Sequence, residues 1–281
     1  MKGSIYELRS LIEDFRMQVV GGLRSGIDLF ESCIIPSLLS NCSTWTDITE
    51  KEEKLLDDLQ LLFCRVLLQV PVSTPKASLR AALGLVGMAW RVKEAKVLLV
   101  SAIRRQEEGG LAREVLEEQL HMGFPGLGQE VSTICKEVGL PDACTTDVEA
   151  SYVKEKIRLD HMKFLKADMA SKEKLTEMSQ CDTRQAQEYV GWSLEEARMA
   201  FRLQTRMFNC RGNMPTRYRR DLVCRACIPN RAGGLEADET QEHLELCRGY
   251  SELWLGLGPL TPRSRVRYYI RVKNKRTKMY K

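Results

Sequence analysis

Apolar positions recur along most of the chain with the three-to-four-residue period of amphipathic helices. Ile5, Leu8, Ile12, Phe15 and Val19 form one such stripe, ended by Gly21-Gly22. A second runs through Leu23, Ile27, Phe30, Ile34 and Leu38. Pro36 falls inside it and is expected to kink or reset the helix, because proline has no N–H and its ring crowds the preceding turn. Thr49-Ile-Thr-Glu52 resembles a capping box and leads into Leu55, Leu59, Leu62, Val66 and Leu67. Ser73-Thr74-Pro75 marks another start, since the first helical position needs no N–H partner.

Further helices are predicted at about 89–107, 111–121, 128–138 and 147–178, separated by Gly109-Gly110, Phe124-Pro125-Gly126 and Gly139-Leu140-Pro141. The 147–178 stretch is highly charged, with a thin apolar stripe of Val153, Ile157 and Leu165, as in a helix solvated over much of its surface. Ser193-Leu-Glu-Glu196 is a second capping box, opening a helix to about Phe208 with Leu194, Ala197, Phe201 and Phe208 inward. Period-two alternation is almost absent until the tail, and no internal repeat is found. The pattern predicts an all-α, multi-helix array.

Composition narrows the class. With 281 residues, 43% hydrophobic and 29% charged, the chain can bury a substantial core. No uninterrupted apolar run reaches the roughly 18 residues of a membrane-spanning helix. The N-terminus mixes charges with apolar residues from the start, unlike a secretory signal, so a nuclear or cytoplasmic protein is expected rather than a secreted one. Ten cysteines, mostly scattered one at a time, fit reduced and partly buried thiols.

One cysteine group stands apart. Cys224-Arg-Ala-Cys227 is followed after fifteen residues by His243-Leu-Glu-Leu-Cys247. A tight knuckle aims the first two thiolates at one ion, and the second pair, at i and i+4, shares one side of a helical turn. Together they make a closed tetrahedral Cys₃His set, with the reversal supplied by Pro229 and Gly233-Gly234. Four protein ligands leave no open position, so the expected cofactor is a single structural Zn²⁺. The bland alternative is four unrelated buried residues.

Charge is unevenly distributed. Residues 193–281 hold 19 Lys+Arg against 9 Asp+Glu, while the rest of the chain holds 24 against 29. Such asymmetry points to a polyanion partner, RNA or DNA. Arg198, Arg202 and Arg206 form one helical stripe, and Arg219, Arg220, Arg225 and Arg231 surround the first ligand pair. The tail at 263–281 carries nine basic residues and no acid, among them Arg265, Arg267, Lys273, Lys275 and Arg276. Tyr268 and Tyr269 are interleaved, where they could stack on unpaired bases. Against this stand a solvated helix face or intrachain pairing for the stripe, and a disordered solubilising end or import signal for the tail.

Catalytic signatures are missing. No Gly-rich phosphate loop, HExxH or GxSxG occurs, and His121 and His161 are isolated. Asp57-Asp58 and Glu52-Glu53 read as solvated pairs on a charged helix face.

Cys33-Ile-Ile-Pro-Ser-Leu-Leu39 followed by Thr44-Trp45-Thr46 resembles the IPSLL…ETW signature beyond the polymerase core of non-LTR (LINE-like) retrotransposon reverse transcriptases. Val70-Pro-Val-Ser-Thr-Pro75, Gly84-Leu-Val-Gly-Met88 and Phe124-Pro-Gly-Leu127 resemble later segments of the same C-terminal regions. The Cys-Cys-His-Cys group is similar to their closing cysteine-rich motif. The resemblance implies thumb-like helices at 1–70, a helical connector at 71–192 and a basic helix with the zinc module at 193–262, while the composition of the basic tail at 263–281 leads us to expect disorder there. The resemblance implies a knuckle that helps hold RNA or DNA, but no enzyme in this chain alone, because the palm and its catalytic carboxylates are missing. A palm domain on another chain is the further partner it would allow. The alternative function is a helical protein-interaction scaffold with a purely structural zinc.

Overall fold

A computed structural model describes residues 22–46, 48–123, 125–180, 192–206, 241–255, 257 and 261–279. The expected stripe at Ile5–Val19 lies outside these residues. Those described form helices and turns, with no strand among them, as an all-α chain requires.

Helix α1 (Gly22–Leu29) passes through a π-helical turn (Phe30–Ile34) into a last α-turn (Ile35–Leu38). Pro36 explains the widening. Its missing N–H and its ring are incompatible with tight α winding, and the Ile35 N–H reaches back five residues to the Phe30 carbonyl. Leu23, Ile27, Phe30, Ile34 and Leu38 are all buried, as their spacing predicts. Helix α2 (Glu50–Leu68) opens on the reciprocal Thr49–Glu52 box. Leu59 and Leu67 are buried as expected, the inward face also takes in Leu56, Leu61 and Phe63, and Leu55 is exposed. Phe63 stacks on Phe30 at 4.0 Å between ring centroids.

Next come α3 (Lys76–Leu83), α4 (Met88–Arg104), α5 (Leu111–Met122) and α6 (Leu127–Val138). Helix α7 (Ala150–Ala170) is shorter than its charge pattern suggests and is followed by α8 (Thr176–Gln180). Helix α9 (Leu194–Gln204) starts at the Ser193–Glu196 box. Beyond it lie α10 (Gln241–Leu246), a 3₁₀ segment (Arg248–Trp254) and α11 (Pro262–Met279).

Two apolar cores result. The larger gathers α1, α2, α3, the second half of α7, α9 and α11. The smaller joins Val97 and Val100 of α4 to Leu116 of α5, four residues of α6, and Val153 and Ile157 of α7. Helix α3 and half of α7, assigned to the connector by sequence, thus share a core with the thumb-like helices.

The tail corrects the sequence expectation: it is a helix, not a disordered end. Thr261 and Ser264 cap it reciprocally, the Ser264 N–H donating to Thr261 Oγ1 at 3.1 Å and the Thr261 N–H to Ser264 Oγ at 2.7 Å. Pro262 stands at the first helical position, where its missing N–H costs nothing. Val266, Tyr268, Tyr269 and Val272 are buried in the larger core.

Candidate functional site

The second expected ligand pair lies where α10 meets the 3₁₀ segment. His243 is half-buried and Cys247 buried. Its nitrogen and sulfur, one helical turn apart in sequence, suit a borderline cation such as Zn²⁺. Cys224 and Cys227 lie outside the described residues, as do Arg219, Arg220, Arg225 and Arg231. Among the described residues no group of three or more His, Cys, Asp or Glu gathers that could hold a metal.

The two residues between His243 and Cys247 are the ones α11 grips. Tyr268 donates its hydroxyl to the Leu244 carbonyl, and the Tyr269 hydroxyl donates to Glu245 Oε1 at 2.8 Å. Arg265 Nε pairs with the same carboxylate at 2.5 Å. Burial and the neighbouring Glu245 push the Tyr269 phenol far above its ordinary range. Both tyrosine rings are fully buried, packed edge to face at 5.5 Å. This corrects their expected role: neither ring has a face to offer a base, because both anchor α11 to the ligand-bearing turn.

Several expected phosphate contacts are turned toward the protein. Arg267 Nε meets Glu196 Oε1 at 2.6 Å and Arg263 Nη2 meets Glu196 Oε2 at 3.0 Å. Arg263 also lies over the Trp192 ring, 5.9 Å from its centroid. Glu196 closes the α9 capping box as well, accepting the Ser193 N–H at 2.9 Å. Burial alone would raise this carboxyl's pKa. The hydrogen bonds from Arg263, Arg267 and the Ser193 amide outweigh it and hold the group down at about 2. Lys275 pairs with Glu252 at 2.5 Å and lies over the Tyr250 ring. Lys273 pairs with Glu195 at 3.3 Å.

The α9 stripe caps α2. Gln69 ends α2 in a left-handed conformation, leaving terminal carbonyls to be satisfied. Arg198 Nε donates to the Leu67 carbonyl at 2.8 Å and Arg202 Nη2 to the Gln69 carbonyl at 3.0 Å. Arg206 follows α9 with φ 51° and is exposed. Arg276, on α11, is half-buried.

A buried polar cluster joins the helices further on. Asp57 is not simply solvated: its Oδ1 meets Arg80 Nη2 at 2.6 Å, and Arg80 is 7% exposed. Arg80 Nε donates to Gln60 Oε1 at 2.8 Å, and Gln60 Nε2 donates to the Val86 carbonyl at 2.7 Å. His161 accepts the Gly87 N–H on Nε2 at 3.2 Å, which leaves its proton on Nδ1. Burial first, then Arg80 and Arg91, hold the imidazole down at about 4, so it is neutral. The cluster meets the Gly84-Leu-Val-Gly-Met88 segment at the Val86 carbonyl and the Gly87 N–H. Gly84 ends α3 at φ 66°, and a Cβ on Gly87 would stand 3.2 Å from His161 Nε2. Burial raises the Cys42, Cys135 and Cys144 thiols and pushes Cys64 up to about 12.

No helix among the described residues is long and apolar enough to cross a membrane. No protein-family model, curated protein or solved structure matches the chain.

Proposed function

We propose that this chain is a non-catalytic nucleic-acid-binding protein corresponding to the C-terminal region of a non-LTR retrotransposon reverse transcriptase. It carries one structural zinc ion on Cys224, Cys227, His243 and Cys247. The observation that supports this best is the seat of α11. A helix with eight basic residues and no acid is pinned across the turn bearing His243 and Cys247, through Tyr268 to Leu244 and Tyr269 to Glu245. Bound zinc would hold that turn in place, and with it the basic helix. RNA or DNA phosphates are the chemistry such a surface attracts.

Mobility shifts with a structured RNA and a single-stranded DNA, at two salt concentrations, test the reading. Retardation should weaken steeply with salt, because each neutralised phosphate releases condensed counterions. A salt-insensitive affinity, or none at low salt, overturns it. Primer extension by the chain alone should be blank. The purified protein should carry zinc and the Cys227→Ser variant should not; undiminished zinc in the variant would sink the ligand assignment.

One observation favours the helical scaffold instead. Arg265, Arg267 and Lys275 are engaged by carboxylates of the same chain, which spends cationic surface on holding helices together. On that reading the mobility shifts would be blank and the zinc result unchanged.

A further inference from the structure

Large apolar side chains stand exposed around the smaller core. Helices α5 and α7 carry six of the eleven found among the described residues, while α4 and α6 carry none. On α5, Leu111, Val115 and Met122 are 77%, 46% and 56% exposed. Their spacing of i, i+4 and i+11 gathers them on one side of the helix, with Glu118 in the same row and Glu114 beside it. On α7, Tyr152 and Leu159 are 45% and 52% exposed and lie one above the other at i and i+7. Lys156, Lys163 and Lys166 share their row. One face is thus apolar and acidic, the other apolar and basic. We infer that the two dock on one another between copies of this chain, α5 of one molecule lying along α7 of a second.

Burial rules out a match within one molecule. Leu116 is the residue that α5 buries, and it packs in the smaller core with Val153 and Ile157 of α7. The exposed rows lie on the sides of their helices turned away from that shared core, so only a second copy brings them together.

Charge points to the same occupant. Among the described residues, Glu114 and Glu118 meet no cation, and Lys156, Lys163 and Lys166 meet no carboxylate. Off these rows the same helices do pair their charges: Arg113 with Glu117 at 2.9 Å, and Asp168 with Lys172 at 2.6 Å. Glu155 and Asp160 border the α7 row, which its three lysines leave positive. A nucleic-acid strand would account for those lysines and for Tyr152, but it leaves Leu159 and the whole α5 row facing water. A second copy covers both apolar rows and sets acid against base. The contact needs neither zinc nor nucleic acid.

Sedimentation equilibrium of the full chain, free of nucleic acid, tests this. The wild type should pass from monomer to dimer or larger as concentration rises. Reversing the acids (Glu114→Lys with Glu118→Lys) or the lysines (Lys156→Glu with Lys163→Glu) should each weaken association at least about tenfold, since like charges then face each other. An equimolar mixture of the two variants should recover it, and so should one chain carrying all four changes, because opposite charges meet again. Leu111→Ser and Leu159→Ser, single changes at exposed positions, should each weaken association about tenfold and cover a charge-reversed variant that fails to fold.

A wild type that stays monomeric up to about 0.5 mM overturns the contact. So do reversed variants that associate as the wild type does, or a loss that neither the mixture nor the combined variant recovers. If the wild type is monomeric and the lysine-reversed variant loses oligonucleotide binding, the α7 row belongs to nucleic acid and the contact between copies falls.

Discussion

Replacing Glu196 with Gln tests whether one carboxylate holds the basic helix to the rest of the protein. Glutamine keeps the size of the side chain and can still accept the Ser193 N–H, so what is lost is the charge facing Arg263 and Arg267. The folded state holds the carboxyl at about 2, against an ordinary 4.5. At roughly 1.4 kcal/mol per pKa unit, this sets a ceiling of about 3 kcal/mol. The Glu196 side chain is 8% exposed, but those of Arg263 and Arg267 are 39% and 49% exposed, so solvent screens their side of the pairs. Halving the ceiling leaves about 1.5 kcal/mol at neutral pH and low salt. The sign follows from the depressed value. The stabilisation is fully present above about pH 4.5 and is lost as pH falls toward 2, where wild type and variant become equivalent. Urea unfolding of both proteins at pH 7, 5 and 3 measures it, and the difference between them cancels every titration they share. A variant as stable as wild type at pH 7, or a penalty undiminished at pH 3, would refute the reasoning.

Other perturbations have equally definite outcomes. Acidification from pH 6.5 to 4 should destabilise the wild type by up to about 3 kcal/mol through His161, since the unfolded chain takes the proton first; His161→Leu should flatten this span of the pH–stability curve while costing about 1–3 kcal/mol at pH 7 through the stranded Gly87 N–H. Gly87→Ala should cost about 1–2 kcal/mol by thermal unfolding, because its Cβ would press on His161 Nε2 at 3.2 Å and Trp90 Cδ1 at 3.4 Å while φ stays ordinary at −59°. Tyr269→Phe removes the hydroxyl held by Glu245, and chelator titration should show faster zinc loss with the fold otherwise intact. Replacing both Arg198 and Arg202 by Met keeps bulk and strands the α2 terminal carbonyls, lowering stability by about 1–2 kcal/mol in urea unfolding.

What could be read from sequence was local chemistry. Both capping boxes are reciprocal pairs three residues apart, so Thr49–Glu52 and Ser193–Glu196 announce their helices without outside help. Pro36 signalled a kink or reset, and the disturbance takes the form of a π turn with Phe30 and Ile34 buried. Helix α2 carries leucines around most of its circumference, so periodicity placed Leu59 and Leu67 inward but misplaced Leu55. Its true face is set partly by the buried Gln60 and its partners Arg80 and Val86. The tail looked disordered because its charge density hides four apolar positions and because its acidic partners lie elsewhere. Glu196 is 71 residues before Arg267, and Glu245 is 20 before Arg265. At the candidate site, the proposed ligand set follows from spacing alone. The clasp on Leu244 and Glu245 does not, since a tyrosine between arginines reads equally as a base-stacking platform or a buried anchor. His161 was invisible for the same reason: its partner amide is 74 residues away.

Helix α7 serves both cores. Val153 and Ile157 belong to the smaller, and Met162, Leu165 and Met169 to the larger, along 21 continuous residues. A hinge between the two would have to break this helix. Melting the smaller core would strip half of α7 of its packing, and the remaining turns are too few to persist alone in water. The cores are therefore coupled as tightly as if they were one: heat or denaturant should remove them in a single cooperative transition, and a protease should find no early cut between them.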